Sequence, residues 1–157
     1  MPRRKGTVRL MTHKGQAVHV RIHTLITDGD RQESHTMEAG GRLLQGSGLL
    51  VIRFTEPKEA GERPTTQQIK CTESEMTVRR QGQVTMNQRF SEGVTTEGVY
   101  ETPELRMPME TTTTRLSQEW DDVSGRGEIA LSYDLVLQGE KTGRYDMTIT
   151  LKEATAT

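Results

Sequence analysis

Apolar and polar residues alternate along most of the chain with a period of two. Val18, Val20, Ile22 and Ile26 share one phase, with His19, Arg21 and His23 in the other. The pattern recurs in Ile129, Leu131, Tyr133, Leu135 and Leu137 and again in Tyr145, Met147, Ile149 and Leu151. Period-two alternation marks strands with one face in the core and one in water. No segment carries a sustained 3.6-residue period, and only Leu116 to Asp122 suggests as much as a helical turn.

Turn residues divide the pattern into hairpins. Asp28-Gly29 predicts a type I′ turn that sets Ile26 opposite Arg31, Ile22 opposite His35 and Val20 opposite Met37. Directly opposed residues share a face, so Glu33, His35, Met37 and Ala39 are expected to point inward. A three-residue loop, Arg80-Gln81-Gly82, would pair Val78 with Val84 and Met76 with Met86, with Gly82 at positive φ. Lys141-Thr142-Gly143 would align Leu137 with Met147 and Leu135 with Ile149. Gly46-Ser47-Gly48 reads as another hairpin, and Pro57 to Pro64 as a polar loop.

Further runs lie near Leu49 to Thr55, Thr65 to Thr72, Val94 to Thr102 and Leu105 to Leu116. Together these predict an all-β domain, a single antiparallel up-and-down β-barrel of eight to ten strands. Closure also disposes of exposed strand edges. The expected organisation is a basic N-terminal arm over 1–15, a barrel over 16–153 and a short tail over 154–157.

Composition fits a polar β domain with a thin core. Of 157 residues, 31% are hydrophobic and only 4% aromatic, yet a net charge of −1 argues against disorder. The single cysteine, Cys71, excludes an intramolecular disulfide and suits a reducing compartment. The basic start is followed by no apolar h-region and no stretch approaches a membrane span, so a cytoplasmic location without membrane attachment is expected. Arg3, Arg4, Lys5, Arg9, Lys14 and Arg21 all precede the first acid, Asp28. With no aromatic among them to stack on bases, nucleic-acid binding is not expected.

Three motifs in order resemble the YwiB-like family of small bacterial proteins of unknown function. They are Thr77-Val78-Arg79-Arg80-Gln81-Gly82-Gln83-Val84-Thr85-Met86, then Gly98-Val99-Tyr100-Glu101-Thr102-Pro103, then Gly127-Glu128-Ile129-Ala130-Leu131-Ser132-Tyr133. The resemblance spans about His19 to Lys152. It implies a lipocalin-like (calycin) barrel and supplies no catalytic residues. The chain departs from it at Glu104-Leu105 and at Met37, Leu43 and Leu49, where aromatic residues are common. The Gly-x-Trp signature of lipocalins is missing, because Trp120 follows Glu119.

Candidate chemistry is sparse. His19 and His23, four apart on a strand, stand about 13 Å from each other, too far to share a metal. Cys71 has no partner signature of a nucleophile, and Ser91 and Ser132 sit in no nucleophile elbow. Enzymatic activity therefore ranks last, and no cofactor or metal is expected. Arg79, Arg80, Arg89, Arg106 and Arg115 would hold an anion only if two of them met at the barrel mouth.

The inward-phase methionines are more informative, since Met adapts to irregular shapes. The candidate small-molecule site comprises Glu33, His35, Met37, Met76, Met86, Met107 and Met109, holding an apolar or amphipathic ligand. The alternative is a filled barrel acting through its surface as a homodimer or partner-binding module. A cavity of a few hundred cubic ångströms separates the two.

Overall fold

The computed structural model describes residues 15–154. These form ten strands and no helix: β1 Gln16–Asp28, β2 Arg31–Gly46, β3 Leu49–Thr55, β4 Thr65–Cys71, β5 Glu75–Gly82, β6 Thr85–Ser91, β7 Thr95–Glu101, β8 Arg106–Asp121, β9 Arg126–Leu137 and β10 Glu140–Glu153. Each strand pairs antiparallel with its neighbours in sequence, and β1 closes on β10 from Val18↔Glu153 to Thr27↔Arg144. The result is the expected closed up-and-down barrel. The basic residues from Arg3 to Lys14 lie outside the described residues.

Inside and outside follow the alternation. Val18, Val20, Ile22, Ile129, Leu131 and Ile149 are buried within the barrel. Outward positions such as Arg21, Arg53, Lys70 and Arg89 are exposed. In β8 the phase changes: Met109, Thr111 and Thr113 point inward, a bulge follows between Thr113 and Arg115, and Leu116 and Trp120 then take the inner face. β8 runs unbroken to Asp121, so the helical turn expected at Leu116 to Asp122 is a strand instead. Its alternating partners on β9 hold it extended.

The hairpin registers differ from those expected, each by an even number of residues. Even shifts preserve the faces. In β1–β2 the loop is Gly29-Asp30, so Ile22 faces Met37, Val20 faces Ala39 and Thr24 faces His35. Positive φ occurs at Gly29 and not at Asp28 or Asp30, the pattern of a II′ turn with glycine first. A I′ turn over Asp28-Gly29 would have forced Asp28 into a left-handed conformation and paired Ile22 with His35. In β5–β6, Val78 faces Gln88 and Met76 faces Phe90, because Arg80 and Gly82 belong to the strand rather than the loop. In β9–β10 the turn is Gln138-Gly139, and Leu131 faces Met147 while Ile129 faces Ile149. Gly143 marks a bulge in that ladder. The observed register stacks Tyr133 on Tyr145, with ring centres 5.0 Å apart.

Two features shape the interior. The end where β1 begins and β10 finishes is packed solid: Leu43, Ile52, Ile69, Met76 and Leu151 are almost fully buried there. At the opposite end the wall is incomplete. β3 is short and pairs with β2 only over Gly41–Gly46, leaving Arg31–Gly40 of β2 supported on one side by β1.

Candidate ligand-binding cavity

The inner face of each strand changes character along its length. β3 runs Leu50, Ile52, Phe54 and then, one step past the strand, Glu56. β4 read in reverse runs Cys71, Ile69, Gln67, and β5 runs Met76, Val78, Arg80. The apolar members pack the closed end, and the polar members converge at the other. Gln67 and Arg80 are direct cross-strand partners. Glu56 continues the β3–β4 ladder by donating its backbone N–H to the Thr65 carbonyl at 2.9 Å, which keeps its side chain in the inner phase.

Above the solid core lies a cavity of about 530 Å³ that reaches the incomplete part of the wall. Met37, Met86, Met109 and Met147 line it with Phe90 and Leu135. Tyr133 closes one side, tilted against Phe90 at 4.9 Å and stacked on Tyr145. Burial above all, and then Tyr145, pushes the Tyr133 hydroxyl pKa up, against a smaller opposing pull from Arg80. The hydroxyl is therefore uncharged across the physiological range.

The polar cluster is a preformed ion pair. Arg80 grips Glu56 side-on, Nε to Oε2 at 2.7 Å and Nη2 to Oε1 at 2.9 Å. Gln67 Nε2 donates to Glu56 Oε2 at 2.7 Å. The Glu56 side chain is 11% exposed and the Arg80 side chain 24%. Burial works against the Arg80 charge, but the hydrogen bonds and charge of Glu56, with Tyr100 beside it, outweigh that and hold the guanidinium pKa above its ordinary value. Deeper in, Gln88 Nε2 donates to Thr111 Oγ1 at 2.9 Å.

The structure divides the sequence-predicted residues. Met37, Met86 and Met109 line the cavity, and His35 stands at its rim. Glu33 does not line it. It lies on the one-sided stretch of β2, 65% exposed, with its carboxylate 3.3 Å from His35. Glu33 and His35 keep the inward phase, but at the height where no β3 residue covers them, so they are not buried. Met76 lies below the cavity in the solid core, opposite Cys71 and Phe90. Met107 is half-buried opposite Tyr100 of β7 and is not in the lining.

Sequence reading missed Glu56, Gln67, Tyr100 and Tyr145, and gave Arg80 no settled place. The signal was phase: Glu56 continues Leu50, Ile52 and Phe54, and Arg80 continues Met76 and Val78. Ending the run at Thr55 and placing Arg80 in a loop removed both from the inner face. Of the other arginines, Arg79, Arg89 and Arg106 line an adjoining groove beside β6 and β7, which shares Arg80 and Met86 with the cavity. No two arginines meet at the mouth among the described residues lining it.

His19 and His23 are on the outer face, bonded to Glu38 Oε1 at 2.7 Å and Thr36 Oγ1 at 2.9 Å. No group of three metal-ligating side chains occurs among the described residues. Cys71 is buried, and burial pushes its thiol pKa up to about 12. No described helix is long and apolar enough to cross a membrane.

Comparison with known proteins agrees with this architecture. A family model described as a domain of unknown function, DUF1934, matches residues 20–149. An uncharacterized beta-barrel protein of Bacillus subtilis, YwiB, is 27% identical over 138 residues, which is 88% of this chain and 94% of that protein. The crystal structure of the Bacillus subtilis ywiB protein superposes with a TM-score of 0.80 at 24% identity, covering 91% of this chain and 95% of that one.

Proposed function

The chain belongs to the DUF1934 family, and on that premise we propose that it is a binding protein that takes a small apolar or amphipathic molecule into its barrel. The observation that carries this reading is the 530 Å³ cavity with a methionine-rich wall and one cluster of placed polar groups. Ligand sites have this size and this mixture of apolar lining and few polar contacts. A barrel of about eight strands is just wide enough to be filled by its own side chains or to hold one small ligand, as lipocalins do. Ten strands enclose more, and a chain that is 4% aromatic has few side chains large enough to fill the difference. The alternative, a surface-acting module, started from a solid interior, which this barrel has only at its closed end. A lone buried Cys71 fits a reducing compartment, and we place the protein in the cytoplasm.

Native mass spectrometry of protein purified from its own cells tests the reading. The expected result is an adduct of fixed mass that disappears in Met147→Trp, where the indole occupies the cavity. Wild-type protein that carries no adduct and also fails to bind the neutral dye N-phenyl-1-naphthylamine would overturn it.

A further inference from the structure

We infer that the Glu56–Arg80 pair makes the cavity selective for uncharged amphiphiles whose head group is a hydrogen-bond acceptor, such as a carbonyl or hydroxyl oxygen. The inference rests on the binding reading above and adds the class of ligand. Two opposite charges at 2.7 and 2.9 Å cancel at the level of the cavity, so the lining offers a ligand ion no net countercharge. An ion entering would lose water and meet an already neutralised site, which is unfavourable in a low-dielectric interior.

The hydrogen-bond inventory sets the head group. Both Glu56 oxygens are occupied, Oε1 by Arg80 and Oε2 by Arg80 and Gln67, so little acceptor capacity remains for a cation or donor. Donors are in surplus. Guanidinium has five N–H groups; Glu56 takes one each from Nε and Nη2 and Tyr100 engages a third, so donors remain for a ligand oxygen. Tyr133 belongs to the same lining, and its phenol, protonated at neutral pH, is a further donor group. The methionine wall and the Phe90–Tyr133–Tyr145 ring cluster suit the apolar body.

Two dyes with one ring system supply the test: neutral N-phenyl-1-naphthylamine, and 8-anilino-1-naphthalenesulfonate, which adds a single sulfonate. Fluorescence titrations of wild type, Glu56→Gln, and the double variant Glu56→Gln/Arg80→Met are compared, each with its thermal melt. In wild type the neutral dye should bind at least about tenfold more tightly than the sulfonate. Glu56→Gln keeps the shape but leaves Arg80 uncompensated, and should tighten the sulfonate about tenfold or more while moving the neutral dye less than about threefold. The double variant restores neutrality and should return the sulfonate to weak binding. Equal binding of both dyes to wild type, or an unchanged ratio in folded Glu56→Gln, would overturn the selectivity and leave the pocket standing. Binding of neither dye, or dye binding that survives Met147→Trp, would overturn both the selectivity and the pocket.

Discussion

Gly82 and Pro64 cross so closely that a Cβ on residue 82 would stand 1.9 Å from the Pro64 carbonyl oxygen. Gly82 also holds φ at +144°, a conformation that L side chains rarely adopt. The approach seats the start of β4 against the end of β5, beside the ion pair at the mouth. Gly82→Ala combines a clash with backbone and an unfavourable φ, and should destabilise the barrel by about 3 kcal/mol. Urea unfolding would measure this, and a variant as stable as wild type would contradict the crossing.

Gln138 is the one described residue other than glycine with positive φ, at 52°, followed by Gly139 at 79°. That is the I′ hairpin pattern, and asparagine accepts its first position far better than glutamine does. The Gln138 N–H bond to Pro108 O at 2.9 Å is backbone only and survives substitution. Gln138→Asn should therefore stabilise the protein by about 0.5 kcal/mol, seen as a higher urea midpoint with unchanged slope. A lower midpoint would mean that the glutamine side chain does more than fill the turn.

Cys71 gives a pH dependence with a definite sign. Burial raises its thiol from an ordinary 9.0 to about 12. Above pH 9 the unfolded chain loses this proton while the folded chain keeps it, so folding takes up a proton and stability falls as pH rises. The contribution is complete below pH 9 and disappears between 9 and 12, a loss of about 1 kcal/mol by pH 10. Cys71→Ala removes this term, so the stability gap between wild type and variant should shrink by about that amount between pH 8 and pH 10. Iodoacetamide should label Cys71 only on unfolding. Rapid labelling of the folded protein would contradict the burial.

His35 faces Glu33 at 3.3 Å, with both side chains about two-thirds exposed. Exposed pairs of this kind contribute little. His35→Leu should change stability by less than about 0.5 kcal/mol and leave N-phenyl-1-naphthylamine binding within about threefold. Loss of dye binding in a folded variant would move the ligand contact out to the rim.

The strand faces were legible in the sequence because side chains alternate with a strict period of two. All three expected hairpin registers were displaced by even steps, which leaves Val20, Val78, Leu131 and Ile149 on the side their phase assigned. The exact partners were not legible, because Asp28-Gly29 and Gly29-Asp30 are both acceptable turns, as are Gln138-Gly139 and a loop ending at Gly143. Packing chose among them by opposing Ile22 to Met37 and Tyr133 to Tyr145.

Of the cavity, the sequence alone determined a wall of inward methionines and a barrel with few aromatic residues to fill it. Only the tertiary structure decided which methionines border empty space. Met76 and Met86 share a phase, yet one is sealed beneath Phe90 and the other faces the void, because depth along a tilted strand is set by the whole barrel. It also decided that Glu33 lies outside the cavity and His35 at its exposed rim while Glu56 and Arg80 meet within, since β3 is too short to cover the start of β2. Alternation assigns a residue to a face. The height at which it meets other chains, and so whether it finds a partner, water or a ligand, depends on closure between strands far apart in sequence.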